Sequence, residues 1–450
     1  MYEKAAAVME RASQWWTTGS VDRSELGIER SFYLKDIMHE LDSELILVLT
    51  GIRRAGKTTL LTQAIQSLIN KGVKPKQILY LSLEAFEVKQ AFKSITEIAD
   101  AFSTIAGSEK LYLFLDEVHY FDDWETQVKT VYDRFKKRMK ITISGSSATL
   151  LKSKKSTALT GRNVPMTVYP FSFQEFIALK NPTLPAPNDV FEETWKLFSQ
   201  HRDSMEKLLY EYLAYGGFPQ ICTTPDAADK KKYLQISFDD IIFKDIVKVW
   251  EIKDVNAISN LALYLLQSKC IAQRFSYRKI SGANEIDINT MMNYAGYLNL
   301  CYMFFFVEFY SKSLANRFRK EKKVFAIDTG LSNARFPSEN FGSLAENAVF
   351  LQLLRSGENI SYWKNTYEVD LVAEEFGKEP LPIEVKYQNE INPEDFKGLH
   401  SFFKHFEKVK YGIMVTKNTF ETRKTKDGRI IQLVPLWLFL LSFCVRPKFC

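Results

Sequence analysis

The chain has 450 residues, of which 46% are hydrophobic and 25% are charged, so disordered and fibrous classes are excluded. At roughly 150 residues per domain, this length predicts about three domains. Sixty Lys and Arg residues against 54 Asp and Glu residues give a net charge of +6. An excess this small indicates nucleic-acid binding only if the cations cluster.

The cysteines and the most apolar segments indicate the compartment. Five cysteines without a C-x-x-C pair fit reduced thiols. The first twenty residues carry charges such as Glu3 and Arg11 and no apolar run of the secretory type. Residues 433–445 are apolar but too few to span a bilayer. We therefore expect a cytoplasmic protein without a membrane span, in which residues 433–445 form a buried final element.

A phosphate-binding loop is predicted at the start of the chain's first α/β unit. The segment GIRRAGKTT follows an apolar run at 45–50, precedes a helical pattern at 58–71, and fits G-x-x-x-x-G-K-[ST]. Backbone N–H groups of such a loop surround phosphates, its Lys reaches the terminal phosphate oxygens, and its Thr hydroxyl joins the Mg²⁺ shell. A structural Gly-rich turn is the alternative. The predicted site for ATP and Mg²⁺ consists of Gly51, Ile52, Arg53, Arg54, Ala55, Gly56, Lys57, Thr58 and Thr59.

The apolar run at 111–115 supplies the second half of this predicted site, because it ends in Asp116 and Glu117. We expect Asp116 to lie against the water shell of the metal and Glu117 to be the base that polarises the attacking water. A solvated strand cap is the alternative for this pair. Together with the loop, the two carboxylates predict hydrolysis of ATP as well as binding.

Three further residues are candidates for the same reaction. Ser144 and Ser146 end an apolar run at 141–144 and could sense the γ-phosphate or orient water, although an ordinary Ser-rich turn is the alternative. Arg162 is either an arginine finger presented to a neighbouring subunit or a surface arginine. As a finger, Arg162 predicts a homo-oligomer.

A winged helix-turn-helix is predicted in the middle of the chain. Two short helical patterns, the second at 288–299, precede an apolar strand at 301–307, a basic segment at 312–323 and a strand at 324–327. Cations at the wing would neutralise DNA phosphates, whereas a solvated loop is the alternative. The cations of this basic segment are Lys312, Arg317, Arg319, Lys320, Lys322 and Lys323.

A second, smaller α/β unit is predicted from a helical pattern at 344–355 and strand patterns at 361–363, 368–373, 382–387 and 411–415. Strand alternation places Glu384 and Lys386 on one face beside Asp370, with Glu346 on the preceding helix. The predicted metal ligands are Glu346, Asp370 and Glu384, and Glu384 and Lys386 are the catalytic candidates for phosphodiester hydrolysis. An ion-paired structural cluster is the alternative.

Many motifs occur in a fixed order: GIRRAGKTTLL, LYLFLDEVHY, ISGSSATLL, LTGRNVPMTVYPFSFQEF, LAENAVFLQLL, YWKNTYEVDLV and PIEVKY. Over residues 28–440 the chain resembles prokaryotic AAA-type ATPases that carry a C-terminal domain of unknown function related to PD-(D/E)xK nucleases. Ser144 stands where such sequences often have Thr. The resemblance implies an ATP site at Gly51, Gly56, Lys57, Thr58, Asp116 and Glu117, a finger at Arg162, and a nuclease-like core at Glu346, Asp370, Glu384 and Lys386.

We expect an α/β protein in which a P-loop NTPase parallel sheet is followed by a helical lid, a winged-helix module and a PD-(D/E)xK nuclease-like α/β domain. The predicted boundaries are 1–28 for an N-terminal helical extension, 29–180 for the ATPase domain, 181–245 for the lid or linker, 246–330 for the winged helix and 335–450 for the nuclease-like domain. The expected function is Mg²⁺-dependent ATP hydrolysis coupled to DNA. The alternative is an ATP-dependent regulatory or assembly switch whose silent nuclease-like fold binds a protein partner.

Overall fold

The structure, a computed structural model, describes residues 2–107, 109–152, 159–185, 187, 190–267, 269–284, 286–337, 341–374 and 378–443. The tail after Phe443 and part of the proline-rich segment at 181–188 lie outside these residues. The chain divides into two compact units. The first contains the residues up to Val168 together with Lys248–Trp250, and the second contains Tyr169–Val247 and the residues from Glu251 onward.

The first unit is an α/β fold. Its strands are β1 Ile46–Thr50, β2 Ile78–Ser82, β3 Leu111–Asp116, β4 Met139–Ser144 and β5 Asn163–Thr167. Its helices are α1 Tyr2–Ala12, α2 Trp15–Thr18, α3 Arg23–Leu26, α4 Ser31–Asp42, α5 Lys57–Asn70, α6 Phe86–Ala91, α7 Ile95–Ala106, α8 Trp124–Phe135 and α9 Ser147–Lys152. Across the described residues the five strands form one parallel sheet in the order β2-β3-β4-β1-β5. The predicted parallel α/β unit is confirmed.

The hydrophobic core of the first unit is formed by side chains of the sheet and of the helices that pack against it. β3 and β4 are buried along their whole length, as expected for parallel strands with packing on both faces. Helix α1 contributes Val8 and Met9 to this core. The Trp15 indole Nε1 donates to the Ile78 carbonyl at 3.0 Å, so the N-terminal helices are anchored to β2.

The second unit begins with helices and continues into a sheet. The short helix Lys248–Trp250, α15, belongs to the first unit. The helices of the second unit are α10 Phe173–Lys180, α11 Phe191–Phe198, α12 Arg202–Tyr215, α13 Pro219–Thr223, α14 Ala227–Asp240, a π-helix at Ile241–Val247, α16 Val255–Leu266, α17 Tyr277–Asn284, α18 Ile288–Leu300, α19 Leu314–Arg319, α20 Thr329–Arg335, α21 Gly342–Arg355, α22 Lys397–His405 and α23 Leu436–Ser442. Its strands are β6 Arg274–Phe275, β7 Phe304–Phe309, β8 Lys322–Ala326, β9 Asn359–Lys364, β10 Glu368–Glu374, β11 Leu381–Lys386, β12 Tyr411–Thr416, β13 Glu421–Lys424 and β14 Ile430–Pro435.

One sheet runs through the second unit. Where the chain is described, its order is β13-β14-β12-β11-β10-β9-β7-β8-β6. β7 and β6 both pair antiparallel with β8, which gives a small sheet. In the chain, β6 lies between α16 and α17, whereas β7 and β8 follow α18. β7 also pairs in parallel with β9 at Glu308–Ser361 and Phe309–Tyr362. The basic segment between β7 and β8 contains helix α19, where the sequence predicted a loop, because Leu314 and Ala315 continue into good helix formers.

The segment from Tyr215 to Pro219, to which no role could be assigned from the sequence, forms a buried turn that we call the glycine joint. Gly216 has φ +78°, and a Cβ on it would lie 1.8 Å from Asp328 Oδ1. The Gly217 N–H donates to Asp328 Oδ2 at 2.7 Å, and the Gly330 N–H donates to Asp328 Oδ1 at 2.9 Å. The Gly217 carbonyl accepts from the Phe171 N–H at 2.7 Å. Asp328 therefore ties the end of α12 to the start of α20, and the Gly217 carbonyl ties the joint to the residues just before α10.

The last described helix, α23, is buried at every residue. This agrees with the predicted buried final element, of which residues 433–443 are described. Among the described helices, none combines the length and the apolar character that crossing a bilayer requires.

Candidate functional site

The loop between β1 and α5 has the backbone that the sequence predicts. Gly51 has φ +144°, and a Cβ on it would lie 2.2 Å from the Val168 carbonyl oxygen, so only glycine fits. Gly56, the N-cap of α5, has φ +95°. Arg54 also has a positive φ, of 67°. The loop therefore curls ahead of the N-terminus of α5, where backbone N–H groups and the helix dipole favour a phosphate.

Lys57 lies inside this loop. Its Nζ donates to the carbonyls of Gly51 and Ile52, at 3.1 Å each, and the residue is 6% exposed. Arg30, which the sequence did not point to, supports the loop from behind, because its Nη1 donates to the Ala55 carbonyl at 2.9 Å. An isolated arginine upstream of the motif carries no pattern from which this contact could be predicted.

Asp116 at the end of β3 is held by three hydroxyl groups. Thr58 Oγ1 donates to its Oδ2 at 2.7 Å, and Tyr80 Oη donates to the same oxygen at 3.0 Å. Ser144 Oγ donates to its Oδ1. Tyr80 on β2 was missed from the sequence; its place one strand away from Asp116, at the same end of the sheet, is the signal that could have found it. Burial raises the pKa of Tyr80, so this hydroxyl keeps its proton.

Glu117 turns away from the strand with φ +56°. Its N–H donates to Ser144 Oγ at 3.3 Å, and its Oε2 lies 3.2 Å from His119 Nδ1. Burial, reinforced by the nearby charge of Arg53, lowers the pKa of His119 to about 4. His119 is therefore neutral at pH 7 and contacts the carboxylate without forming a charged pair.

Ser146 and Arg162 occupy different ends of the first unit. Ser146 is 2% exposed and directly follows the β4 end that carries Ser144. The Arg162 carbonyl accepts from the N–H of Ile46, the first residue of β1. At about 3.3 Å per residue, the length of β1 places Arg162 roughly 16 Å from the loop that begins at Gly51. Its guanidinium Nε lies 3.6 Å from Asp133 Oδ1 and is partly exposed.

The arrangement around Thr58 and Asp116 fits Mg²⁺. Both side chains offer oxygen, which this cation prefers, and their 2.7 Å contact lies at the mouth of the phosphate-binding loop. Thr58 and Asp116 would hold Mg²⁺ together with the phosphates of the nucleotide.

The predicted nuclease-like core is arranged differently. The structure brings Glu346 and Asp370 together, but the side chain between them is Lys323. Lys323 Nζ lies 2.8 Å from Glu346 Oε1 and 2.8 Å from Glu368 Oε1. It also lies 3.3 Å from Asp370 Oδ1. Lys323 is 1% exposed, so its assignment to the exposed basic segment is wrong.

The charge of Lys323 is held by these carboxylates. Burial by itself lowers the pKa of Lys323, but the charges of Glu346, Asp370 and Glu368 outweigh it and raise this pKa well above its usual value. The lysine is therefore an ammonium ion inside the protein. Removing the ammonium from among these carboxylates would be costly, because the remaining negative charges would be buried without a cation and would repel one another.

Glu384 and Lys386 form a separate pair beside this cluster. Lys386 Nζ donates to Glu384 Oε1 at 2.6 Å, and Asp370 Oδ2 accepts from the Val385 N–H at 2.8 Å. Glu384 Oε2 lies against α22, because a Cβ on Gly398 would be 2.8 Å from it. In the described part of the chain, no group of three or more His, Cys, Asp or Glu side chains is arranged to hold a metal ion. The cluster as it lies does not fit a divalent metal.

Three families match successive parts of the chain. Residues 43–177 match the family described as "AAA domain". Residues 206–340 match "Domain of unknown function (DUF8612)", and residues 341–439 match "Domain of unknown function (DUF4143)". The first match covers the loop, Asp116, Glu117 and the two serines.

Relatives over nearly the whole chain come from bacteria and archaea. An uncharacterized protein of Haemophilus influenzae is 28% identical over 426 residues, which is 92% of this chain and 99% of that protein. An uncharacterized protein of Methanocaldococcus jannaschii is 28% identical over 438 residues, which is 94% of each chain. The arrangement of matched regions is therefore shared by complete proteins of similar length.

Solved structures with partial likeness include a Walker-type ATPase and a RuvB protein. The Walker-type ATPase PABY2304 of Pyrococcus abyssi has a TM-score of 0.42 at 14% identity, over 68% of this chain and 95% of that chain. RuvB of Thermotoga maritima has a TM-score of 0.29 at 15% identity, over 62% of this chain and 90% of that chain. Because both scores are below 0.5, the assignment depends on the matched AAA domain and on the loop geometry. The match over residues 43–177 and the geometry of the loop support a P-loop ATPase that binds ATP.

Proposed function

We propose that the chain is a Mg²⁺-dependent ATPase whose nucleotide cycle is coupled to DNA. The observation that carries the ATPase proposal is the contact of Thr58 with Asp116 beneath the loop, with Glu117 as the next residue. Loop, metal-binding pair and candidate base come from three separate segments of the sequence. Their convergence at one end of the sheet supports hydrolysis and not binding alone.

Each residue has a role in this proposal that follows from its position. Backbone N–H groups of the loop bind the phosphates, and Lys57 exchanges its contacts with Gly51 and Ile52 for phosphate oxygens. Thr58 and Asp116 would hold Mg²⁺, which would supply positive charge against the phosphates. Glu117 orients the attacking water and accepts its proton. The neutral imidazole of His119 leaves the charge of Glu117 available for that step.

Ser144 and Ser146 complete the proposed site. Ser144 Oγ donates to Asp116 and accepts from the N–H of Glu117, so this residue holds the Asp116 carboxylate and the backbone of Glu117 at once. We assign sensing of the γ-phosphate to the turn that contains the two serines. Arg162 is proposed to act on the site of a neighbouring subunit in a homo-oligomer, because within its own chain it lies at the opposite end of β1.

DNA coupling is proposed through residues 246–330 as a winged-helix-like module and residues 335–450 as a nuclease-like domain. Helices α16, α17 and α18 and the small sheet of β6, β7 and β8 support the first assignment, in which β6 lies between α16 and α17 and the other two strands follow α18. The β9–β12 strands behind α21 support the second. Exposed cations on the segment between β7 and β8 are suited to phosphates.

A second function is favoured by one observation, the burial of Lys323 among the carboxylates. If the nuclease-like fold does not cut DNA, the ATPase drives a regulatory or assembly switch that binds a protein partner. The two functions share the ATP site and differ in whether DNA changes the turnover of ATP.

The test of the ATPase is Glu117→Gln. We expect turnover to fall by about 10²- to 10⁴-fold, because the amide cannot accept the proton of the attacking water. Binding of ATP should be unchanged, since Lys57, Thr58 and Asp116 are intact. The measurement is steady-state phosphate release together with binding of a fluorescent ATP analogue.

The control for this variant is Glu109→Gln, which neutralises an exposed carboxylate of the same unit. Full turnover in Glu117→Gln would remove the base from the mechanism. The same assay with single-stranded and double-stranded DNA separates the two functions. Stimulation by DNA supports the first, and turnover that is indifferent to DNA supports a protein-directed switch.

A further inference from the structure

Six side chains of the second unit form a cluster that we call the lysine-filled centre. Its members are Lys323, Glu346, Glu368, Asp370, Glu384 and Lys386. They come from β8, α21, β10 and β11, so the centre connects the small sheet of the wing to the larger part of the unit.

We propose that Lys323 is the resident cation of this centre, in the place that a divalent metal would need between the carboxylates. The centre then joins β8 to α21 and β10, and it does not cut phosphodiesters. This inference does not depend on the ATPase function, because every residue that carries it lies in the second unit.

The first argument is occupancy. The Lys323 ammonium makes direct contacts with one oxygen each of Glu346, Glu368 and Asp370, between 2.8 and 3.3 Å. A divalent ion bound by these same oxygens at about 2.0–2.6 Å would lie where the ammonium lies. Because Lys323 is 1% exposed, its ammonium group would have to pass through the protein interior before a divalent ion could take its position.

The second argument is charge balance. The outer oxygen of Glu368 faces Arg274 at 3.6 Å and Lys364 at 3.7 Å. The carboxylates of the centre are thus met by Lys323, Lys386 and Lys364, and by Arg274, which Glu368 shares with Glu321 at 3.3 Å. Cations this close weaken the attraction of the carboxylates for a divalent ion.

The third argument is the use of the remaining oxygens. Asp370 Oδ2 accepts the backbone N–H of Val385 at 2.8 Å, and Glu384 Oε1 accepts from Lys386 at 2.6 Å. Glu384 Oε2 lies against α22 at Gly398. Of the oxygens that the sequence assigned to a metal, Glu346 Oε1, both oxygens of Asp370 and Glu384 Oε1 are engaged with the protein's own cations and backbone. Glu384 Oε2 is buried without a hydrogen-bond partner among the described residues.

The test uses Mn²⁺ alone, without nucleotide, as a probe for a divalent ion. In the full-length wild-type protein, we expect electron paramagnetic resonance to detect the same number of bound Mn²⁺ ions as in Asp370→Asn. In Lys323→Ala, the uncompensated carboxylates should acquire one additional Mn²⁺. Mn²⁺ should then raise the thermal midpoint of this variant by about 5 °C more than it raises that of the wild type.

Controls separate the centre from the ATP site and from general loss of a lysine. Lys323→Ala combined with Glu346→Gln should lose the additional Mn²⁺. Lys386→Ala removes a neighbouring cation without opening the position between Glu346 and Asp370, so it should gain none.

The proposal is overturned if the wild type binds a Mn²⁺ that Asp370→Asn abolishes. It is equally overturned by divalent-dependent DNA cleavage in the wild type that Asp370→Asn abolishes. If Lys323→Ala does not fold, the comparison of the wild type with Asp370→Asn still decides, since neither protein lacks the lysine.

Discussion

At the scale of single residues, Asp116 shows how the site is prepared before ATP binds. Its two oxygens are reached by hydroxyl groups from α5, β2 and β4. Each of these hydroxyls can donate without carrying charge, so the carboxylate is oriented while its negative charge is preserved for a cation. Prepared orientation of this kind lowers the reorganisation needed when the reaction starts.

Asp328 in the glycine joint makes the stability of the second unit depend on pH. Burial raises the pKa of Asp328 to about 7, although the N–H groups of Gly217 and Gly330 act in the opposite direction. The folded protein therefore binds a proton that the unfolded chain releases above about pH 4. The contribution of this group to the free energy of unfolding is full below pH 4 and is lost as the pH rises through 7.

We predict that the stability advantage of the wild type over Asp328→Asn falls as the pH rises from 5 to 8. The change should be on the order of 3 kcal/mol, because the Asn side chain has no proton to lose. Urea unfolding of both proteins at several pH values measures the difference, in which other titrating groups cancel. Asp239→Asn, at an exposed carboxylate, is the control. An advantage that is constant over this range would contradict the prediction.

The sequence predicted residues that act within a local motif and missed those that act across the fold. Gly51, Lys57 and Asp116 follow from spacing next to apolar runs. Lys323 does not, because its partners Glu346 and Asp370 come 23 and 47 positions later on other elements. A lysine in a basic stretch reads as exposed unless the register of its strand is known.

At the scale of elements, the cations of the basic segment at 312–323 fall into three groups, which are buried, paired with a carboxylate, or exposed. Lys322 pairs with Glu308 at 3.1 Å, and Arg317 lies 3.6 Å from Glu374. Lys312, Arg319 and Lys320 are exposed. The exposed three are thus the cations best placed to contact phosphates, a narrower set than the sequence predicted.

We predict that changing Lys312, Arg319 and Lys320 to Gln weakens DNA retention and lowers its dependence on salt. Each phosphate contact contributes about 0.9 to the slope of log K against log salt concentration, so the slope should become shallower by about 2 to 3. Fluorescence anisotropy of labelled double-stranded DNA over a series of salt concentrations measures both quantities.

The matched control neutralises Lys404, Lys408 and Lys410, which are also exposed in the second unit and change the net charge equally. An equal effect of both triple variants would show that only net charge matters. Retention that the first variant leaves intact would exclude the wing segment as the DNA contact.

Strands and helices with strong periodicity were predicted from the sequence, and their pairing was not. The run at 301–307 indicated a strand, but its pattern does not predict that β7 pairs with β9 on one side and with β8 on the other. Pairing depends on which backbone edges meet in three dimensions. Helix α19 was missed because charged residues are equally common in loops and short helices.

At the scale of the whole molecule, Arg162 bears on assembly. It lies far from the phosphate-binding loop of its own unit, so a role in hydrolysis requires a second copy of the chain. We predict that Arg162→Ala lowers turnover by about a thousandfold or more, the range for an arginine finger. Wild-type turnover per subunit should also rise with protein concentration as the homo-oligomer forms.

Asp133→Asn is the control, because it removes the partner of Arg162 within the chain and leaves the guanidinium in place. This variant should keep wild-type turnover. If Arg162→Ala kept wild-type turnover at high protein concentration, Arg162 would not be an arginine finger, even if the protein forms an oligomer.

The pairing of β7 with β9 decides how the chain can be divided. The boundary between the two regions of unknown function falls between residues 340 and 341, whereas the hydrogen bonds of the sheet cross it at Glu308–Ser361 and Phe309–Tyr362. A chain cut at that point would expose the edge of each strand, and exposed edges promote aggregation. We therefore expect the two regions to form one folding unit, so that neither is stable when the chain is cut at that boundary.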